Sequence, residues 1–371
     1  MPAPCPPDPL PLLRRLLAGE RRAPHRALPP PGGPGDPELH AGKEAIPATA
    51  LDRALAWLAH PGHHLIGNDD PRYPPLLRQA PDPPLALFVD GDPDMLWRPS
   101  IAVVGSRSAS PGGRDTARLF ADALCRAGLA VTSGLAAGID AAAHDAALAA
   151  GGLTVAVLGT GADVPYPPRH DRLRDRIAIS GAVVSEHLPG TPPRAWHFPG
   201  RNRIIAGLSL GTLVVEAAVR SGALITARLA AEAGREVFAI PGSIHLPQAR
   251  GCHRLIRDGA QLVEHPDEVL AGIAALAGRL ATSLGPHARS TDAPTTRSAR
   301  PSCAPRGDTV DHDRLWAALG YDPTPMDLLV ERTGLTTAAL SSMLLAMELD
   351  GRVAVEHGRY ARRSTGGDAI A

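Results

Sequence analysis

Ile101-Ala102-Val103-Val104-Gly105-Ser106-Arg107-Ser108-Ala109-Ser110-Pro111-Gly112-Gly113 is the stretch on which the fold turns. A short apolar, β-rich run ends in glycine and small polar residues, and a helical pattern follows over residues 113–127. Working outward, the same unit recurs. Strands are expected at 129–132, 153–158, 182–184, 212–215 and 236–240. Helices are expected at 139–150, 168–180, 201–207 and 221–234. Alternation of this kind implies an α/β domain with a parallel sheet and right-handed crossovers. Such sheets bind ligands outside the carboxyl ends of their strands.

The flanks read differently. Residues 1–64 form a Pro-rich N-terminal segment, with helical patterns only at 10–18 and 49–59; a run such as Leu28-Pro29-Pro30-Pro31-Gly32-Gly33-Pro34 cannot hold a regular element. The α/β domain is placed at 65–281. Residues 282–307, rich in Ser, Thr, Pro and Arg, read as a linker. Residues 308–362 hold three helical patterns (314–319, 326–332, 336–349) and two short strands around Gly358, a helix-turn-helix with a wing. Residues 363–371 are a tail.

Composition narrows the classes. Hydrophobic residues are 44% and charged residues 20%, which describes a folded chain with a sizeable core. Net charge is +0, so any basic site must be local. Cys5, Cys125, Cys252 and Cys303 are far apart and make no metal-ligand spacing, which fits a reducing, cytoplasmic compartment. The start lacks a signal-peptide core, and no apolar run suits a membrane span.

Several strand ends could carry chemistry. After the first strand, Gly105-Ser106-Arg107 is either a phosphate cradle with an arginine fork or a plain β–α turn. It lacks the dinucleotide fingerprint and the Walker lysine. After the second strand, Asp140 suits the first turn of a helix, and His144 reads as packing. The stretch His197-Phe198-Pro199-Gly200-Arg201-Asn202-Arg203 sets an aromatic beside arginines and an amide. That combination serves a strand-tolerant nucleic-acid site, or else is a solvated basic turn with Phe198 in the core. No nucleophile elbow is present, and no cofactor is called for.

Taken together these stretches resemble the DNA-processing protein A family. The resemblance runs through Tyr73-Pro74-Pro75-Leu76-Leu77, Val104-Gly105-Ser106-Arg107, the segment from Ser133 to Asp140, and Tyr166-Pro167. It continues through the segment from Phe198 to Ser209, Val215-Glu216-Ala217, the segment from Ser221 to Ala227, Pro241-Gly242, and the segment from Gly251 to Ala260. It implies an extended Rossmann-like parallel sheet with helices on both faces, plus a C-terminal winged-helix domain. It further implies binding of single-stranded DNA, a homodimer, and delivery of the strand to the recombinase RecA in DNA uptake, natural transformation and recombination, without turnover. Carried over by motif, Gly105, Ser106 and Arg107 would hold phosphates, and Phe198, Arg201, Asn202 and Arg203 would line the same groove. His253 departs from the asparagine usual in that family.

Two other readings compete. Gly211-Thr212 with Glu216 partly resembles nucleoside-monophosphate phosphoribohydrolases, though the preceding Pro-Gly-Gly of that group is missing. The winged helix could serve a transcriptional regulator. Against this, residues 308–363 carry nine acids and six arginines, and the recognition-helix pattern at 336–349 has no Lys or Arg. Phosphate contacts dominate DNA affinity, so this module is expected to bind protein or pack on the core.

Overall fold

The computed structural model describes residues 8–20, 48–284, 308–356 and 358–362. The linker and tail expectations fall almost wholly outside these residues, as does the Pro-rich stretch 21–47. Two N-terminal helices, α1 (Leu10–Leu17) and α2 (Ala48–Leu58), lead into β1 (His63–Gly67), α3 (Pro75–Arg78) and β2 (Ala86–Gly91). Then follow β3 (Ser100–Val104), α4 (Pro111–Arg126), β4 (Ala130–Ser133), α5 (Ile139–Ala149), β5 (Thr154–Val157), α6 (Asp171–Ser180) and β6 (Ala182–Ser185). The unit closes with α7 (His197–Leu208), β7 (Gly211–Val214), α8 (Gly222–Glu232), β8 (Glu236–Ala239), α9 (Arg250–Arg257), β9 (Gln261–Leu262) and α10 (Pro266–Leu284).

Nine strands form one sheet in the order β1-β2-β6-β5-β4-β3-β7-β8-β9. From β6 to β9 every pairing is parallel. At the other edge β1 and β2 run antiparallel, to each other and to β6. The parallel sheet expected from Ile101 onward is present, and an antiparallel hairpin ahead of it extends the whole to a mixed sheet. β2 can pair with β6 this way because it enters from an N-terminal hairpin and needs no crossover.

The strands are apolar on both faces because both are covered. Ile101 and Val103 face α4 and α5, packing with Phe120, Leu124 and Ile139. Their alternates Ala102 and Val104 face α7 and α8, packing with Ile204, Ile205 and Ala227. The N-terminal helices are not a separate body: Leu13, Leu16 and Ala54 pack on Phe88 of β2.

The chain enters the sheet centre at β3, winds outward through β4, β5 and β6, then returns to β7 on the other side of β3. Val103 lies beside Leu213 and Val104 beside Val214. The winding direction reverses between β3 and β7, and a crevice opens outside the carboxyl ends of strands at such a reversal.

The C-terminal module holds α11 (Asp308–Ala318), β10 (Thr324–Pro325), α12 (Met326–Thr333), α13 (Thr337–Leu349), β11 (Val353–Glu356) and β12 (Arg359–Arg362). Gly334 takes the left-handed conformation that ends α12, and the Thr336 hydroxyl caps α13 by accepting from Ala339 N. Among the described residues, several of the module's cations are already engaged. Arg352 and Arg362 lie over Trp316, at 4.4 and 4.5 Å from the ring centroid. Arg332 pairs with Asp115 of α4 at 2.5 Å, which ties the module to the α/β domain. α13 instead bares Leu345 and Leu349. A fragment of residues 308–371 is accordingly expected to show no salt-dependent binding of duplex DNA by fluorescence anisotropy; submicromolar duplex affinity would contradict this.

Candidate nucleic-acid interface

The crevice at the β3/β7 reversal is a groove of about 840 Å³. Its floor comes from the loops after β3 and β4, and one wall from α7. Gly105, Ser106, Arg107, Phe198, Arg201 and Asn202 all line it. Arg203 does not. On an α-helix successive residues turn by about 100°, so Phe198, Arg201, Asn202 and Ile205 share the groove face while Arg203 points away. Its guanidinium joins Asp82 at 2.9 Å and Glu186 at 2.6 Å, tying α7 to the segments before β2 and after β6. α7 starts at His197 rather than Arg201 because Pro199 falls in the first turn, where a missing N–H costs nothing.

The β3 loop is held from below by its own protein. Ser106 N–H donates to the Glu216 carbonyl at 2.6 Å, and Ser108 N–H to the Ser106 hydroxyl at 3.2 Å. Ser110 caps α4 by accepting from Gly113 N, and both its N–H and its hydroxyl donate to the Glu216 carboxylate. Burial raises the Glu216 carboxyl above its ordinary range, and these Ser110 bonds oppose the rise. The backbone cradle expected from the sequence is thus largely occupied. Ser106 keeps its hydroxyl proton as a donor, and the exposed Arg107 supplies the charge. Glu216, read above as an echo of a hydrolase site, spends both oxygens on Ser110 and lines no part of the groove.

The β4 loop makes the deeper floor. Leu135 has φ +56°, a left-handed value unusual for leucine, which turns successive N–H groups inward. Those of Gly134 and Ala136 donate to Asp140 Oδ2 at 3.1 and 3.4 Å. Gly138, at φ +84°, brings this loop against the first one: a Cβ there would lie 2.2 Å from the Ser106 carbonyl. Arg201 is 4% exposed. It donates to the carbonyls of Gly134 (2.8 Å) and Val157, and to Asn202 Oδ1. Burial pulls its guanidinium down to about 10, against the opposing charge of Asp140, so it stays cationic at neutral pH. Burial likewise raises the Asp140 carboxyl, and Arg201 resists that rise. His144, behind them, is pushed down to about 3 by burial and the nearby Arg201, and its Nδ1 meets Thr154 Oγ1. It is neutral packing, as its sequence position suggested.

An aromatic cluster crosses the groove. The Arg107 guanidinium lies over Phe198, 5.5 Å from the ring centroid, and Tyr166 lies 5.0 Å from Phe198. Exposed Arg194 and Arg220 add to the rim, and Arg194 lies over the exposed Trp196. Asp140 is the sole carboxylate among the lining residues and is 5% exposed. The site is therefore locally cationic on a chain with no net charge. Sequence reasoning missed Tyr166 and Arg220 as site residues; Tyr166 carried only a motif signal and Arg220 none. His253 sits on α9, with Nε2 3.0 Å from the Gly242 carbonyl. Among the described residues no group of His, Cys, Asp and Glu is arranged to hold a metal ion.

Comparison with known proteins gives a consistent result. Residues 64–274 match the family model of DNA recombination-mediator protein A, and residues 298–359 match the DprA winged helix domain. The protein Smf of Escherichia coli K12 is 43% identical over 319 residues, covering 86% of this chain and 82% of that protein. The DNA processing protein DprA of Streptococcus pneumoniae is 50% identical over 202 residues, covering 54% and 71%. Its X-ray structure aligns with a TM-score of 0.55 at 48% identity, over 57% of this chain and 74% of that one. A structure of DNA processing protein A from Helicobacter pylori, described by its single-stranded DNA binding mode, aligns with a TM-score of 0.52 at 26% identity, over 60% and 98%. On these matches the chain belongs to the DNA recombination-mediator protein A family.

Proposed function

We propose that this protein binds single-stranded DNA in the β3/β7 groove and delivers it to the recombinase RecA, in DNA uptake, natural transformation and recombination. The observation that carries the reading is the Arg107–Phe198–Tyr166 cluster lying across a groove rimmed by arginines. Guanidinium groups hold phosphates, aromatic rings stack on bases of any identity, and the combination suits an unpaired strand. Ser106 and Asn202 add polar contacts, and Gly105 keeps the floor low. Arg201 acts by shaping that floor, and Arg203 by fixing α7. The named binding mode of the Helicobacter pylori relative supports the same ligand class. The protein works by binding and handing over, without turnover, in the cytoplasm. Among the described residues no helix is long and apolar enough to cross a membrane. The homodimer is the assembly that the family resemblance implies.

The test is anisotropy of a labelled single strand and its matching duplex across a salt series. Each phosphate contact on a single strand contributes a slope of about −0.7 in log K against log salt. Arg107→Ala is expected to flatten the slope by about 0.7 and weaken single-strand binding about eightfold at 50 mM salt. Equal affinity of the wild type for strand and duplex would overturn the reading. Delivery is checked by RecA filament growth on a strand preloaded with this protein; growth no faster than on naked DNA would remove that part.

A further inference from the structure

Beyond Phe198 the groove does not end. A second cavity of about 360 Å³ is continuous with the first and shares Arg107, Ser108, Ala136, Tyr166, Phe198 and Arg201 with it. Its floor is backbone and small residues, Gly134, Ala136 and Ala137, and its outer edge is Arg169. Arg169 is exposed, follows the Tyr166-Pro167 turn and faces a cavity whose lining contains no carboxylate. The main cavity is lined by Arg107, Arg194 and Arg220 but not by Arg169. The aromatic cluster is thus a partial partition across one continuous groove, with an arginine on its crest and cationic ground on both sides.

Resting on the single-strand reading above, we infer that the second cavity holds a further nucleotide of the same strand, with Arg169 as its phosphate ligand and Tyr166 as its stacking wall. The chemistry follows from the lining. A small compartment with a flat aromatic side, a floor of small residues and two solvent-facing guanidiniums, Arg107 and Arg169, takes a planar base flanked by anions. Arg107 borders both compartments, so the phosphodiester joining the two nucleotides passes beneath it, and the next phosphate outward reaches Arg169. A free mononucleotide would fill one compartment only; a strand fills both. The ligand class is therefore a continuous single strand crossing the partition.

The experiment uses the full chain and a labelled oligothymidine of about 20 nucleotides, followed by anisotropy from 50 mM to 1 M salt. The proteins are wild type, Arg169→Ala, Arg169→Lys and Arg172→Ala. Arg172 is an exposed neighbour that lines neither cavity. Arg169→Ala is expected to flatten the salt slope by about 0.7, with affinity down about eightfold at 50 mM and about fourfold at 150 mM, converging with wild type near 1 M. Arg169→Lys is expected to restore the slope, because a point charge suffices for a phosphate. Arg172→Ala is expected to follow wild type. The inference is overturned if wild type binds and Arg169→Ala keeps its slope, or if Arg172→Ala loses as much. If wild type itself fails to bind the strand, the single-strand reading falls, and this one with it.

Discussion

Arg201→Ala is expected to destabilise the protein by about 3–5 kcal/mol, the usual cost of removing one partner from a buried charge network. The side chain is 4% exposed and bonds two strand-end carbonyls, Gly134 and Val157. Its loss leaves those acceptors unpaired and Asp140 buried without its compensating charge. Chemical denaturation followed by circular dichroism reads the effect directly. The substitution will also depress DNA binding, because the loop carrying Gly134 and Leu135 forms the groove floor. A variant that melts like wild type while binding no DNA would show that Arg201 is itself a phosphate ligand and that its carbonyl bonds are dispensable.

Phe198→Ala is expected to have the larger effect on binding, with stability little changed because the ring is only half-buried. Stacking of a base on an aromatic side chain is worth about 1–3 kcal/mol by alanine substitution, or about 5- to 150-fold in affinity. The salt dependence separates this contact from Arg107. A stacked ring releases no counterions, so Phe198→Ala should keep the wild-type slope while lowering affinity at every salt concentration. Phe198→Leu fills most of the space without a π face and should behave like alanine. If leucine binds as wild type does, the ring packs in the wall and stacks on nothing.

The central sheet was legible because its strands are covered on both faces and read as uninterrupted apolar runs flanked by glycine. Ile101 to Gly105 announces both a strand and its ligand-facing end, and Gly105, Ser106 and Arg107 do lie at the point where the winding reverses. The β1–β2 hairpin was not legible. His63 and His64 dilute its first strand, and its pairing with β6 joins residues far apart in sequence. The contrast between Arg201 and Arg203 was hidden for a different reason. Two arginines one residue apart look equivalent until helix phase is fixed, and Pro199-Gly200 concealed where the helix starts. Tyr166, Arg169 and Arg220 lie on connections whose ends meet only after the crossovers are laid down. An isolated arginine in a loop carries no local sign of the cavity it will border.

The Gly138 contact constrains how this groove can change over evolutionary time. Its backbone touches the Ser106 carbonyl, and at Gly134 an added Cβ would collide with the Arg201 guanidinium at 2.3 Å. The bottom of the site is main chain against main chain at 138 and main chain against a buried guanidinium at 134, and both are closed to diversification. Lineages that adapt to strands of different composition or chemistry must do so along the margin, at positions such as 169, 194, 196 and 220. Libraries randomised there should yield folded proteins with altered preferences, whereas libraries at 134 and 138 should yield almost none.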